Sequence, residues 1–250
     1  MNIEELVNEV TREVQSLLKE SRNCETPGIR PWEVPSRLEH SLLNPDVNLE
    51  YVLAECANAR RYSVATVCVA PYYVPMAKEA LRGSGVKVCA AIGFPHGCMS
   101  ALAKLVETID CIKNGAEELD VAVNILAVKS GNMADARNDL EQIMSAARGR
   151  TAVKAVFEHS VYSDTEKKSV LEMANACRVD YLKIQNALSG KGADVEDIRY
   201  VKKILGNDVR IKIDGGVKTM AKAMELFDAG ADRIGLTATV AIAEEAGAKR

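Results

Sequence analysis

Histidine is scarce in this chain. Only three occur in 250 residues, at positions 40, 96 and 159, with no H-x-H or H-E-x-x-H grouping. A histidine-held metal therefore has little support, and the expected cofactor list is empty. There is no excess of basic charge either. Thirty-two Lys and Arg face 35 Asp and Glu, a net charge of −3, which leaves no electrostatic case for a nucleic acid or an anionic membrane as partner. The seven cysteines contain no C-x-x-C pair. An odd, scattered set fits a reducing cytosol better than a disulfide framework. No apolar run approaches the roughly 18 residues of a membrane span. The first ten residues, MNIEELVNEV, are acidic and lack the apolar stretch of a signal peptide, so a cytoplasmic location is expected.

What is present is alternation. From residue 36 onward, short β-rich runs are each followed by helical periodicity. Strands are expected near 37–42, 63–69, 86–93, 118–124, 153–159, 181–186, 210–214 and 233–237. Helices are expected near 49–60, 73–83, 99–114, 133–148, 164–177, 194–205, 219–229 and 239–248. An amphipathic leader helix is expected at 3–20. Strict β–α alternation implies a parallel sheet. Eight units in about 215 residues suit an α/β fold of the closed (β/α)8 or TIM-barrel type with an extra N-terminal helix. An open doubly wound sheet is the alternative, but the G-x-G-x-x-G that such a sheet often carries after its first strand is missing. No linker interrupts 1–250, which is read as a single domain with its barrel at about 36–248. Three echoes, "NGAEELDV", "ACRVDYLK" and "DAGADRIG", each end a helix, turn and enter a strand. In two of them glycine stands where positive φ is needed.

Strand side chains alternate between faces, so residue parity sorts them. In "YLKIQN", Leu182 and Ile184 face the helices and Tyr181, Lys183 and Gln185 face the barrel interior. In "RIKIDGG", Arg210, Lys212 and Asp214 face inward. Asp120, Ala122 and Asn124 point inward from strand four, Lys154, Val156 and Glu158 from strand five, and Glu39 and Ser41 from strand one. Buried charges this dense are costly unless paired or used. A salt-bridged polar plug is the plain reading of any one of them. Two neighbouring lysines suggest chemistry instead. A free lysine titrates near 10.4, and bringing it to about 7 requires roughly 4–5 kcal/mol of destabilisation of the ammonium form. Burial and a close cation both act in that direction. A neutral lysine can attack a carbonyl to form an imine, and Asp120 could move protons through a water. Glu158 and Lys154 are expected to pair with each other or with Asp120. His40 and His159 are read as structural, and His96 as a loop brace. Cys68 is read as a small buried hydrophobe, and "SGKG" at 189–192 as an incomplete phosphate loop.

These motifs resemble the deoxyribose-phosphate aldolases, class I aldolases on a TIM barrel. The resemblance runs from about 36 to 242. It is carried by "LEHSLLNPD", "VCVAPYYV", "AAIGFPHG", "GAEELDVAVNI", "LAVKSGN", "YLKIQ", "IKIDGGVKT" and "GADRIGLT". It implies a Schiff base on Lys183, a tuning cation at Lys212 and a proton relay at Asp120. It also implies phosphate held after strands seven and eight, at positions matching Gly215, Gly216, Gly235 and Thr237, and a possible homodimer. Asp214, Gln185, Lys154 and Glu158 complete the expected substrate-binding set. The chain departs from the family pattern where T-S-T-G becomes Ile184-Gln185-Asn186-Ala187 and K-A-S-G-G becomes Lys212-Ile213-Asp214-Gly215-Gly216. The small-Ser-Ser of strand eight becomes Leu236-Thr237-Ala238, and a final tyrosine is replaced by "AGAKR". Asp214 is expected to bring negative charge near the phosphate, with Lys218 or Lys191 as counter-cation. The implied reaction is reversible, metal-independent cleavage of 2-deoxy-D-ribose 5-phosphate to D-glyceraldehyde 3-phosphate and acetaldehyde, in carbohydrate catabolism. The alternatives are the same imine chemistry on a different carbonyl substrate, unphosphorylated or differently charged, and a non-catalytic barrel that binds a small anion.

Overall fold

The computed structural model describes residues 29–206 and 209–247. The leader helix expected at 3–20 lies outside them. Eight strands form one closed parallel barrel in sequence order. They are β1 (Leu38–Leu42), β2 (Thr66–Val69), β3 (Lys87–Ile92), β4 (Glu118–Ala122), β5 (Ala152–Glu158), β6 (Tyr181–Gln185), β7 (Arg210–Asp214) and β8 (Arg233–Leu236). Around them run α1 (Leu49–Tyr62), α2 (Val74–Ala80), α3 (Ala101–Lys113), α4 (Ile125–Lys129), α5 (Met133–Ala147), α6 (Asp164–Ala176), α7 (Val195–Leu205), α8 (Met220–Asp228) and α9 (Thr239–Glu245). The fold is a TIM barrel. Helix α4, in "ILAVKSGN", was not expected from the sequence. At five residues it is too short to show periodicity, and the Asn124 side chain that starts it, accepting from the Ala127 N–H, had been assigned to the barrel interior.

Short polar residues set the helix starts. Asn48, Ser100 and Thr219 cap α1, α3 and α8 by accepting a backbone N–H from the first turn. Ser163 with Glu166, and Asp194 with Asp197, form reciprocal capping boxes on α6 and α7, each satisfying two otherwise orphaned donors. The three echoed turns share one backbone geometry. Gly115 and Gly230 have φ of 104° and 103°, and Arg178 takes φ 57° where the third echo lacks a glycine.

The barrel has two kinds of core. Leu119, Val121, Leu182, Ile184, Ile211 and Ile213 point outward into the aliphatic layer against the helices and are fully or almost fully buried. The inward layer is polar. Lys154, Lys183, Lys212, Glu39 and Asp120 are all fully buried within it. Register pairs Asp120 with Lys154 across β4 and β5, and Lys183 with Lys212 across β6 and β7. Period-two alternation thus turns an ordinary amphipathic strand pattern into a charged shaft inside an apolar sleeve.

Candidate active site

The shaft is a closed charge network. The Lys154 Nζ lies 3.0 Å from Glu39 Oε2, 2.7 Å from Glu118 Oε2 and 3.1 Å from Asp120 Oδ1. The Lys212 Nζ lies 2.7 Å from both Glu39 Oε2 and Asp120 Oδ2. The Lys183 Nζ lies 2.9 Å from Asp120 Oδ2 and 2.7 Å from Asp214 Oδ2. Arg233 adds its guanidinium 4.0 Å from Glu39 and 3.9 Å from Glu118. Within the barrel four cations thus face four carboxylates, with the half-exposed Lys87 adding a contact to Glu118 from outside at 3.4 Å. The interior itself is charge-balanced, which removes the main objection to burying it. The Lys183 contacts are ion pairs whose angles fall outside hydrogen-bond geometry.

The balance sets protonation. Burial alone would raise the Asp120 carboxyl, but Lys154, Lys183 and Lys212 hold it well below the usual carboxylate range. Burial also pushes the Lys183 ammonium down, and Lys212 adds to that push. Asp120 and Asp214 outweigh both, so the Lys183 pKa lies above the ordinary lysine value. The lowering expected from Lys212 is therefore one contribution within an opposite total. Counting neighbouring cations could not foresee that Asp214 would fold onto Lys183.

A cavity of about 420 Å³ opens at the C-terminal end of the strands, and Lys183 adjoins it through its contacts with Asp214 and Phe94, which stand in the cavity wall. Ser41, Phe94, Gln185, Asp214, Gly216, Lys218 and Thr237 are among its lining residues. A larger groove, about 680 Å³, lies at the opposite end among Lys87, Arg148, Arg150 and Arg178. Chemistry in this architecture is built from the loops that follow the strands, so the smaller cavity is the candidate site. Phe94 went unremarked in the sequence. Its ring centroid stands 5.7 Å from the Lys183 Nζ, placed by the loop after β3, where the Phe94–Pro95 peptide is cis. That loop is anchored from below. The Gly93 N–H donates to Glu107, and the buried Lys104 joins Asp139 to the Ala122 carbonyl.

Several expected site residues have different surroundings from those foreseen. Lys154 and Lys183 are both fully buried and outside the cavity wall, but Lys183 reaches that wall through Asp214 and Phe94. Among the described residues the Lys154 ammonium has only Glu39, Glu118, Asp120 and Cys89 around it, none of them in the wall. Glu158 does not pair with Lys154. It accepts from Gln185 Nε2, Ser160 Oγ and the Leu188 N–H, and it thereby fixes Gln185 at the cavity wall. The Gly215 N–H donates to the Gly235 carbonyl at 3.1 Å and is committed to the barrel. Among the described residues no protein acceptor meets the Gly216 or Thr237 N–H. Gly235 is required for space. A Cβ there would lie 1.8 Å from Asp214 Oδ1 and 2.9 Å from Lys212 Cε. Gly192, in "SGKG", makes the close backbone approach to Gly216, where an added Cβ would fall 2.6 Å from the Gly216 Cα.

Cys89, also unremarked, lies beside Cys68 on the neighbouring strand. These two sulfurs and an Asp120 oxygen lie within 4.8 Å of one another. The Lys154 ammonium stands 3.3 Å from Cys89 Sγ and 3.1 Å from Asp120 Oδ1. An ammonium there opposes a metal cation, and burial pushes the Cys89 thiol up, so the pair reads as inert thiols. His40 bonds Thr239 and Glu55, His159 bonds Asp197, and the exposed His96 uses its backbone carbonyl to accept from Ile125.

The chain is similar to known proteins over most of its length. It is 38% identical over 205 residues to the deoxyribose-phosphate aldolase of Staphylococcus haemolyticus, covering 82% of this chain and 93% of that one. It is 34% identical over 213 residues to that of Clostridium tetani, covering 85% and 99%. Among solved structures, the aldolase QR15 superposes with a TM-score of 0.80 at 27% identity, covering 85% of this chain and 95% of that one. A tetrameric deoxyribose phosphate aldolase from Aeropyrum pernix superposes with a TM-score of 0.78 at 27% identity, covering 86% and 91%. No protein-family model matches the chain.

Proposed function

The chain belongs to the deoxyribose-phosphate aldolase family, and on that premise we propose that it reversibly cleaves 2-deoxy-D-ribose 5-phosphate to D-glyceraldehyde 3-phosphate and acetaldehyde. Lys183 is the nucleophile and forms the imine with the sugar aldehyde. The imine nitrogen is the electron sink for the carbon–carbon bond that breaks. Lys212, across the register from Lys183, weakens the hold of Asp120 on the Lys183 ammonium by competing for the same Oδ2. Asp120 relays protons at the reacting carbons through a water. The single observation that carries this reading is one carboxylate oxygen, Asp120 Oδ2, shared by two buried lysines, one of which also pairs with Asp214 in the cavity wall.

The phosphate has a place in the same cavity. The Gly216 and Thr237 N–H groups supply donors, and Lys218 supplies a charge at the wall. Asp214 is paired with Lys183, so it does not confront the phosphate as a free anion. That pairing favours the phosphorylated sugar over an unphosphorylated one. We propose a cytoplasmic location. The free thiols of the six described cysteines suit a reducing compartment, and among the described residues no helix is long and apolar enough to cross a membrane.

The test is cleavage of deoxyribose 5-phosphate beside unphosphorylated deoxyribose, with release of acetaldehyde as the readout. The phosphorylated sugar should give the higher kcat/KM, and Lys183→Met should abolish turnover of both. Equal kcat/KM for the two sugars would remove the phosphate from the proposal.

A further inference from the structure

Asp214 has a second property besides its contact with Lys183. Its side chain is 16% exposed and lines the cavity, whereas Asp120, the other carboxylate touching Lys183, is fully buried. Asp120 is occupied on both oxygens, by Lys154 and Cys89 on Oδ1 and by Lys183 and Lys212 on Oδ2. Asp214 has one ion-pair partner among the described residues, Lys183, and its Oδ1 has no hydrogen-bond partner. Gly235 clears the space that this carboxylate occupies. A substrate approaching Lys183 from the cavity meets Asp214 first.

We propose that Asp214 is the catalytic acid–base of imine formation, carrying the Lys183 proton to the substrate oxygen. This rests on the imine reading above. The step begins when the Lys183 side chain shifts to bring an N–H into line with Asp214 Oδ2, 2.7 Å away, and Asp214 takes that proton, giving an amine and a carboxylic acid. The Nζ lone pair forms the N–C1 bond while the C1=O π pair moves onto oxygen, and Asp214 returns its proton to that oxygen. The carboxylate then takes a proton from the carbinolamine nitrogen and gives it to the C1 hydroxyl, which leaves as water as the C=N bond forms. Overall, one ammonium and one aldehyde become one protonated imine and one water, and Asp214 ends as it began. Asp120 stays an anion throughout, held so by its three lysines. The two carboxylates therefore divide the work. One faces the carbonyl oxygen before the imine exists, and the other faces the carbon skeleton afterwards.

The experiment follows the rate of imine formation, separately from its amount. Enzyme and acetaldehyde are mixed, quenched with borohydride at increasing times, and the reduced adduct on Lys183 is quantified by mass spectrometry. Asp214→Asn should slow adduct formation by roughly 100-fold, the low end of what a positioned acid–base supplies, while long incubation brings the adduct to the parent level. Asp214→Glu, which keeps a carboxylate, should recover part of the rate and provides the comparison if the Asn variant does not fold. An unchanged rate in either the Asn variant or a folded Asp214→Ser variant would overturn the inference. Failure of the Asn and Ser variants to reach the parent adduct level at long times would also overturn it, since Asp214 would then only support Lys183. If the parent protein forms no Lys183 adduct, the imine reading itself fails first, and the two failures are distinct.

Discussion

On the proposed mechanism a proton must leave Lys183 before its nitrogen can attack, and the residues around it control how hard that is. Asp120 and Asp214 hold the ammonium, while burial and Lys212 work against them. Removing Lys212 should therefore damage catalysis twice. It takes away the competing cation, and it leaves Asp120 and Glu39 short of a partner. Lys212→Met should lower kcat by at least about 100-fold, the scale of a lost acid–base contribution. It should also cost roughly 3–5 kcal/mol of stability, as breaking a buried pair does. Steady-state kinetics and urea titration read the two effects separately. At Gly235, one methyl group should be enough to disturb the site. Gly235→Ala places a Cβ against Asp214 Oδ1, so Asp214 must swing away from Lys183. Activity should fall by up to about 100-fold, the size of effect expected when a reacting group is misplaced by about an ångström, while circular dichroism shows the barrel intact.

At the scale of elements, the αβ turns show how much the backbone tolerates. Arg178 occupies positive φ where the equivalent turns use Gly115 and Gly230. Left-handed geometry costs a non-glycine residue roughly 1–2 kcal/mol, and glycine adds about 0.5–1 kcal/mol of unfolded-chain entropy in return. Arg178→Gly should therefore raise the urea midpoint slightly, whereas Gly230→Ala should destabilise by about 1–2 kcal/mol. The same turns show what the sequence could reveal. Glycine in two echoes marked them, and the third needed the structure because arginine carries no such signal. Alternation assigned Lys183, Lys212, Asp120, Lys154 and Glu39 to the barrel interior because parity needs only the strand. Parity says nothing about depth or partner. Lys154, expected at the substrate, has its ammonium among Glu39, Glu118 and Asp120. Glu118, which shares the parity of Asp120, drew no notice because it opens the strand at the end away from the cavity. The Asp214–Lys183 contact depends on the β6–β7 register and on the space left by Gly235, neither of which is written in either segment alone. Phe94 reaches the site from a loop, where no periodicity operates.

For the whole molecule, the charged shaft makes stability a function of pH at both extremes. Burial would raise the Glu39 carboxyl, but Lys154 and Lys212 bring it from 4.5 to about 2. Its folded pKa is below its unfolded one, so its contribution is complete above about pH 4.5 and is lost as pH falls towards 2. Burial would lower the Lys212 ammonium, but Asp120 and Glu39 hold it well above 10.5. That contribution is complete below 10.5 and is lost above it. Unfolding free energy should thus be nearly flat across the neutral range as far as this cluster is concerned, and steep below pH 4.5. Glu39→Gln should flatten part of the acid limb and lower the plateau by roughly 3 kcal/mol, the cost of leaving a buried cation short of its partner. Urea melts at a series of pH values would show it. A parent-like acid limb in that variant would detach Glu39 from the network.

If this neutral network presents one particular lysine to an aldehyde, that lysine alone should be trapped as its reduced imine. The most direct measurement is borohydride reduction of the full chain with deoxyribose 5-phosphate, followed by proteolysis and mass mapping of the added group. A single modified site at Lys183 is expected, with Lys154 and Lys212 unmodified and no adduct in Lys183→Met. A label on Lys212, or cleavage activity that persists without any lysine adduct, would contradict it.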